Sequence, residues 1–360
     1  MQCPYCNSNY IIKYGKRKTK RGSTQIFKCN ECNKFFSYEK FKHKRYDPKV
    51  ILNAISTFNL GYTLEQTKKE IAKRFHIKVP TSTIHSWIRE YSNVCTFVKI
   101  RESARKMFKP EEIIISLKLN HNQVYNFQLH RAKLELRKAE LPYHKFEMLK
   151  KYLEFVQSDK FPHHIFNINE EDFERRASQL KANFLQIIKI EKQNTANKLA
   201  DFGLILAKTS KERHQAIQNF MLINDSVTIA TEVPVYLSKN DIIYLKKKGF
   251  VFEFENYKTP ITGHIDILQI RNGLIYILDY KPEARKINAV NQLTIYALAL
   301  ASRTKLAIKD FKCAWFDEKN YFEFYPLHAV HRVNGKFENE KIKKDPHKIK
   351  SQINLCRLEN

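Results

Sequence analysis

The spacing of apolar positions changes along the chain, and the changes divide it. Between Pro48 and Tyr91 the apolar residues recur at helical intervals, first Val50, Ile51, Ala54, Ile55 and Phe58, later Ile84, Trp87, Ile88 and Tyr91. Gly61 closes the first helix, Thr63-Leu-Glu-Gln66 reads as a capping box that opens a second, and Lys68 to Phe75 continues it. After a connector from His76 to Pro80, Thr81 or Ser82 caps a third. Residues 111 to 207 read as mostly helical, with Phe173, Ala177, Leu180, Phe184, Ile187 and Ile188 at helical spacing and breaks at Pro142 and Pro162. Beyond a helix through Ile217 and Phe220, the pattern turns to short apolar runs. Thr228 to Leu237, Phe250 to Asn256, Ile261 to Ile270, Leu274 to Lys281, Lys312 to Phe316 and Tyr321 to Tyr325 predict strands, with an apolar helix at Gln292 between the fourth and fifth. That order agrees with a sheet covered by helices on both faces.

The expectation is therefore a multidomain α/β protein. Its parts are a small metal-bound ribbon over 1–42, a helical unit over 43–105, a helical linker or cap over 106–203, an α/β unit over 204–335 and a basic tail over 336–360.

Four of the seven cysteines pair as Cys3-Pro-Tyr-Cys6 and Cys29-Asn-Glu-Cys32. Two Cys-x-x-Cys turns about twenty residues apart can each aim two thiolates at one tetrahedral zinc ion. So short a segment cannot bury a core, and the metal would supply its folding energy.

Charge narrows the choice of partner. The net charge is +27, and from Ile11 to Arg45 twelve Lys or Arg face two Glu, interleaved with Tyr14, Phe27, Phe35, Phe36, Tyr38 and Phe41. Such density suits a polyanion, because each phosphate neutralised releases counterions. The aromatics Phe27 and Phe36 are expected to pack the ribbon itself. The exposed face of the third helix would offer Thr81, Ser82, Thr83, His85, Ser86 and Arg89 for DNA contact in a major groove. The first six residues hold no apolar signal core, and the longest apolar stretch, about Ala297 to Ala301, falls short of a membrane span. A cytoplasmic protein with no membrane partner is expected, nucleoid-associated if prokaryotic.

Candidate chemistry sits in the later strands. Asp266 lies in one, and Asn272-Gly273 offers a turn into another that ends Leu278-Asp279-Tyr280-Lys281. Alternation puts Asp279 and Lys281 on one face, and a hairpin would bring Asp266 beside them. Two carboxylates so close repel and resist desolvation unless a divalent cation lies between them. Metal-assisted phosphodiester hydrolysis is the chemistry suggested.

These residues resemble the PD-(D/E)xK nucleases, in particular their RecB-like exonuclease branch. Gly263-His264-Ile265-Asp266 is similar to the Gly-x-x-Asp strand of that branch, and Asp279-Tyr280-Lys281 to its Asp-x-Lys strand, thirteen residues on; Gln292-Leu-Thr-Ile-Tyr296 resembles its Gln-to-Tyr helix. The resemblance implies a restriction-endonuclease-like α/β/α core. It further implies magnesium or manganese on Asp266 and Asp279, Lys281 orienting the attacking water, and Gln292 and Tyr296 beside DNA. Glu232 stands where the branch carries its first acidic residue, and His214 where some members place a metal ligand. Towards the N-terminus, the ribbon resembles those that open insertion-sequence transposases. Ser82 to Ile88, Ser-Thr-Ile-x-x-Trp-Ile, resembles the helix-turn-helix of transposase and regulator headpieces.

The function expected is a DNA-binding, magnesium-dependent nuclease, endo- or exonucleolytic. Two alternatives stay open: a transposase or recombinase-type enzyme of a mobile element, working with a partner recombinase or as a homodimer, and a DNA-binding regulator with an inactive nuclease fold.

Overall fold

The structure, a computed structural model, describes residues 3, 5–19, 22–37, 41, 44–140, 145–167 and 175–331. The basic tail over 336–360, Tyr38, Pro142 and Phe173 lie outside the described residues.

Three strands open the chain as an antiparallel sheet: β1 (Ile11–Thr19), β2 (Gly22–Cys29) and β3 (Phe35–Phe36). The helices α1 (Pro48–Asn59), α2 (Leu64–Phe75) and α3 (Thr81–Tyr91) follow, then a short α4 (Arg101–Met107). Asp47 caps α1 by accepting from the Lys49 amide. Thr63 and Gln66 close the reciprocal capping box on α2, as the spacing implied. The start of α3 differs from expectation. Pro80 holds the cap position and no side chain caps it, so Thr81 and Ser82 lie within the first turn.

The linker region also differs. It opens with a hairpin, β4 (Ile114–His121) and β5 (Gln123–His130), before α5 (Arg131–Ala139) and α6 (Glu147–Phe155). Residues 175–192, read as helical, hold only the two-residue strands β6 (Ala182–Asn183) and β7 (Ile190–Glu191). The apolar spacing there reflects burial of Ala177, Leu180 and Ala182 against the main core, without helix. Two helices, α7 (Thr195–Leu206) and α8 (Arg213–Asn224), lead into β8 (Thr228–Leu237). Next come α9 (Lys239–Lys247), β9 (Glu253–Phe254), β10 (Ile261–Arg271) and β11 (Leu274–Tyr280). The chain then forms α10 (Val290–Thr304), β12 (Phe311–Phe316), β13 (Tyr321–Phe324) and α11 (Pro326–Val330).

Eight strands make one mixed sheet in the order β4-β5-β8-β10-β11-β12-β13-β7. The β10–β11 hairpin turns on Asn272 and Gly273, at φ of 49° and 72°, the left-handed pair that an Asn-Gly turn accommodates. α10 crosses over to set β12 parallel to β11. Alternate residues of β11 enter two cores. Ile275 and Ile277 pack with α10 residues such as Leu293 and Leu298, while Tyr276, Leu278 and Tyr280 pack with α7, α8 and the helices α1 to α3. The three-helix unit is thus not held off on a spacer; it shares a core with the sheet. At that junction the buried Asn59 donates to Asn224 Oδ1 at 2.9 Å, and Asn224 donates to Ser56 Oγ at 2.9 Å. Among the described residues no helix is long and apolar enough to cross a membrane.

Candidate functional site

The pairing of three neighbouring strands brings the candidate carboxylates into a row. The β10–β11 register sets Ile267 opposite Leu278, which puts Asp266 opposite Asp279. The β10–β8 register sets Ile265 opposite Val233 and Ile267 opposite Thr231, which puts Asp266 also opposite Glu232. Glu232 carries a φ of 51°, left-handed backbone that a non-glycine residue in a strand adopts only under constraint. Strain and clustered acid therefore coincide at one point of the sheet.

Asp279 is 1 % exposed, and neither of its carboxylate oxygens has a hydrogen-bond partner. Lys281 Nζ lies 2.9 Å from Asp279 Oδ2, an ion pair by distance whose direction is not that of a hydrogen bond. The Lys281 amide donates to Phe316 O at 2.9 Å, which fixes the residue against β12. Burial opposes its ammonium, yet the charge of Asp279 holds the Lys281 pKa above its ordinary value. Asp266 is pushed well above the carboxylate range, first by burial and then by the charges of Asp279 and Glu232. Burial, with Asp279 adding to it, lifts Glu232 to about 7 against the hydrogen bond that Gln218 Nε2 gives Glu232 Oε1 at 2.6 Å. Two buried carboxylates raised by the charge of a neighbouring carboxylate mark a site short of positive charge.

Gln292 and Tyr296 flank the row from α10. One turn apart, they join through Gln292 Nε2 donating to Tyr296 Oη at 3.0 Å. Burial and the nearby charge of Asp279 raise the Tyr296 hydroxyl pKa. The Tyr296 ring comes so close to Gly263 that a β-carbon there would lie 2.3 Å from Cε1, which gives the glycine a physical reason. A cavity of about 640 Å³ opens beside Lys281 and Gln292, lined also by Lys181, Asn183, Asn288 and Asn291.

His214 sits on α8, as expected, but its Nε2 meets the Tyr280 carbonyl oxygen at 2.8 Å. The α8 residue that reaches the acidic row is Gln218, one turn on. Sequence reasoning passed over Gln218 because a glutamine on a mixed helix carries no signal. The fold also joins His163 to a chain of imidazoles. His163 Nδ1 lies 3.0 Å from His121 Nε2, and His121 Nδ1 lies 2.8 Å from His264 Nε2. Burial depresses His121 to about 4 and His264 well below its usual value, so each ring is neutral near pH 7, one donor and one acceptor, as such a chain needs. Tyr125 stacks on His264 at 3.5 Å between centroids. Histidines from separate elements gave no local pattern to read.

The four cysteines converge at the other end of the chain. Cys3 and Cys32 Sγ are 3.5 Å apart, Cys6 and Cys29 Sγ 3.6 Å, and all four lie within 4.8 Å of one another. Tetrahedral zinc with Zn–S near 2.3 Å would set sulfurs about 3.8 Å apart, so the cluster fits that ion. Each knuckle turns on an asparagine in left-handed conformation, Asn7 after Cys6 and Asn33 after Cys32. Backbone N–H groups of Cys32 and Glu31 help draw the Cys29 thiol down to about 6, towards the thiolate a metal needs. Among the described residues this is the sole group of three or more Cys, His, Asp or Glu side chains closed to such spacing. Glu232, Asp266 and Asp279 do not close likewise because they lie in line. Strands about 4.8 Å apart put the outer two, Glu232 and Asp279, about 10 Å apart at the backbone.

On α3, Ser82, His85, Ser86 and Arg89 are exposed and Thr81 and Thr83 half-buried, opposite the buried Ile84, Trp87, Ile88 and Tyr91. No family model, curated protein or solved structure matches the chain.

Proposed function

We propose that this chain is a divalent-metal-dependent deoxyribonuclease of the PD-(D/E)xK type, brought to DNA by its N-terminal zinc ribbon and a helix-turn-helix formed by α2 and α3. The observation that carries the reading is the Asp279 carboxylate, buried in the sheet, aligned with Asp266 and ion-paired with the Lys281 ammonium. One ammonium among three neighbouring carboxylates leaves the row short of positive charge, a deficit that a further cation would make good.

Asp266 and Asp279 would hold the cation. When bound, magnesium or manganese would supply Lewis-acid charge to a phosphate oxygen and a water of lowered pKa. The chain's own groups do the rest. Lys281, held beside Asp279 by their ion pair, directs its N–H donors at the attacking water or the phosphate. Glu232 has Oε1 occupied by Gln218 and Oε2 left to accept a proton, and a pKa of about 7 suits that exchange at neutral pH. Gln292 and Tyr296 orient the strand at the rim. Water oxygen bonds to phosphorus as the bond to the 3′ oxygen breaks, giving a 5′-phosphate and a 3′-hydroxyl. The +27 net charge and the exposed polar face of α3 supply affinity for duplex DNA.

The test is to incubate the purified chain with plasmid, linear and single-stranded DNA, with magnesium, with manganese and without either. Cutting by the parent should need the divalent ion. Asp279→Ala should abolish it and Lys281→Ala should slow it about 100-fold or more, while both still bind DNA. Cutting without divalent ions, or by Asp279→Ala, rules the mechanism out.

A further inference from the structure

The ribbon sheet has two faces of opposite character. The β1–β2–β3 register places Lys13, Phe27 and Phe36 in one row and Ile12, Lys28 and Phe35 in the next. Phe27 and Phe36, at 9 % and 5 % exposure, turn inward with Cys3 and Cys29 and form the small core. The other row stands in solvent: Ile12 is 45 % exposed and Phe35 49 %, with Tyr14 at 63 % beside them. Tyr14 and Phe35 meet edge to face, ring centroids 4.7 Å apart, across the middle strand.

A sheet this small has little apolar surface to spare, and leaving two aromatic rings on its outer face costs it stability unless something covers them. The charge around them says what. Lys28 Nζ lies 5.9 Å from the Phe35 centroid. From Met1 to Tyr38 the sequence has eight Lys or Arg and a single acidic residue, Glu31. An apolar protein partner would have to bury those ammonium groups without counter-charge, which is costly. A duplex would answer the charge and leave the rings idle, because its bases are already stacked on one another. Flat apolar rings set among cations match a ligand that alternates flat bases with phosphates and has its bases unpaired.

We propose that the outer face of the zinc ribbon, centred on Tyr14, Lys28 and Phe35, is a stacking platform for single-stranded DNA. This goes beyond the nuclease reading and does not depend on it. Bases stack on Tyr14 and Phe35, while Lys28 and the neighbouring basic residues neutralise the phosphates between them. A chain that reads duplex through α3 and unpaired strand through its ribbon would favour DNA where the two meet.

The experiment uses the full zinc-loaded chain with no magnesium or manganese, so that binding is read without cutting. Fluorescence anisotropy compares a labelled oligothymidylate of about 15 nucleotides, an oligouridylate of the same length and a blunt duplex. Tyr14→Ala and Phe35→Ala should each weaken binding of oligothymidylate about 5- to 100-fold, with duplex affinity and zinc content unchanged. Phe35→Trp should restore binding, and its new indole fluorescence should be quenched by oligothymidylate and not by duplex. Equal losses on single strand and duplex, no quenching, a preference for oligouridylate, or unchanged affinity in a Tyr14→Ala/Phe35→Ala variant that keeps its zinc would each overturn the platform. None of these outcomes bears on cutting at Asp279.

Discussion

Asp279 and Gly263 show how much of the candidate site is decided by single positions. Asp279 continues the side of β11 that carries Ile275 and Ile277, so the alternation that builds the core also delivers its carboxylate into apolar surroundings. Gly263 has no side chain because Tyr296 fills the space a β-carbon would take. Gly263→Ala should force the ring away, destabilise the protein by about 1–3 kcal/mol and lower any cutting activity, read by thermal unfolding beside the DNA assay. A variant with parental stability and rate would show that the ring need not sit there. Asp266, Asp279 and Lys281 could be picked from the sequence because two strands and a tight turn hold them at fixed local spacing, and Gln292 and Tyr296 because their helix resembles that of the PD-(D/E)xK nucleases. Gln218 and the His163–His121–His264 chain could not, since their partners come from elements far apart along the chain.

At the scale of elements, β8 and β10 to β13 were legible because each is an apolar run bounded by turn residues, and β8 begins and ends where the pattern changes; the strand expected over Phe250 to Asn256 shrinks to the two residues of β9, paired with β6 outside the main sheet. The β4–β5 hairpin was not legible. Its alternation, Ser116-Leu117-Lys118-Leu119-Asn120 with Leu119, Phe127 and Leu129 buried, has the strand period, but it is read together with the helical spacing farther along the same stretch. The hairpin feeds α5, whose Lys133 is fully buried, donates to Leu222 O and lies 4.7 Å from the Phe97 ring centroid. Burial lowers its pKa to about 7, opposed by the charge of Asp225 and helped by Arg137, with the neutral His130 alongside. Between that value and the ordinary 10.5 of a lysine, the unfolded chain binds a proton that the folded chain does not. Stability from this group is therefore present at high pH and is lost as pH falls through about 7. Lys133→Met should remove that part of the pH dependence, seen as a flatter denaturant-unfolding profile from pH 7 to 10 than the parent shows. Parallel profiles would mean that the ammonium keeps its proton inside the fold.

For the whole molecule, the shared core matters most. Phe41, Tyr91 and Phe202 form one ring cluster, and α8 packs on α1 with one side while Gln218 on another reaches Glu232. A helical unit joined in this way cannot swing freely, so its orientation to the acidic row is set by packing. The sequence does not show that these parts merge, nor that residues 114–130 and 190–191 of the expected linker supply strands of the main sheet. The buried pair Asn59 and Asn224 lies 165 residues apart in the chain, and neither asparagine stands out locally. Under the proposed function one chain would hold two metals of different chemistry, zinc on the soft thiolates of the ribbon and magnesium or manganese on the hard carboxylates of the sheet. The most direct measurement is a crystal of the zinc-loaded protein soaked in manganese, with anomalous maps collected at each metal's absorption edge. Zinc should appear among Cys3, Cys6, Cys29 and Cys32, and manganese between the carboxylates of Asp266 and Asp279, vanishing in Asp279→Asn. A map with manganese nowhere near those two residues, in protein that is otherwise fully folded, would contradict the claim that the acidic row is a cation site.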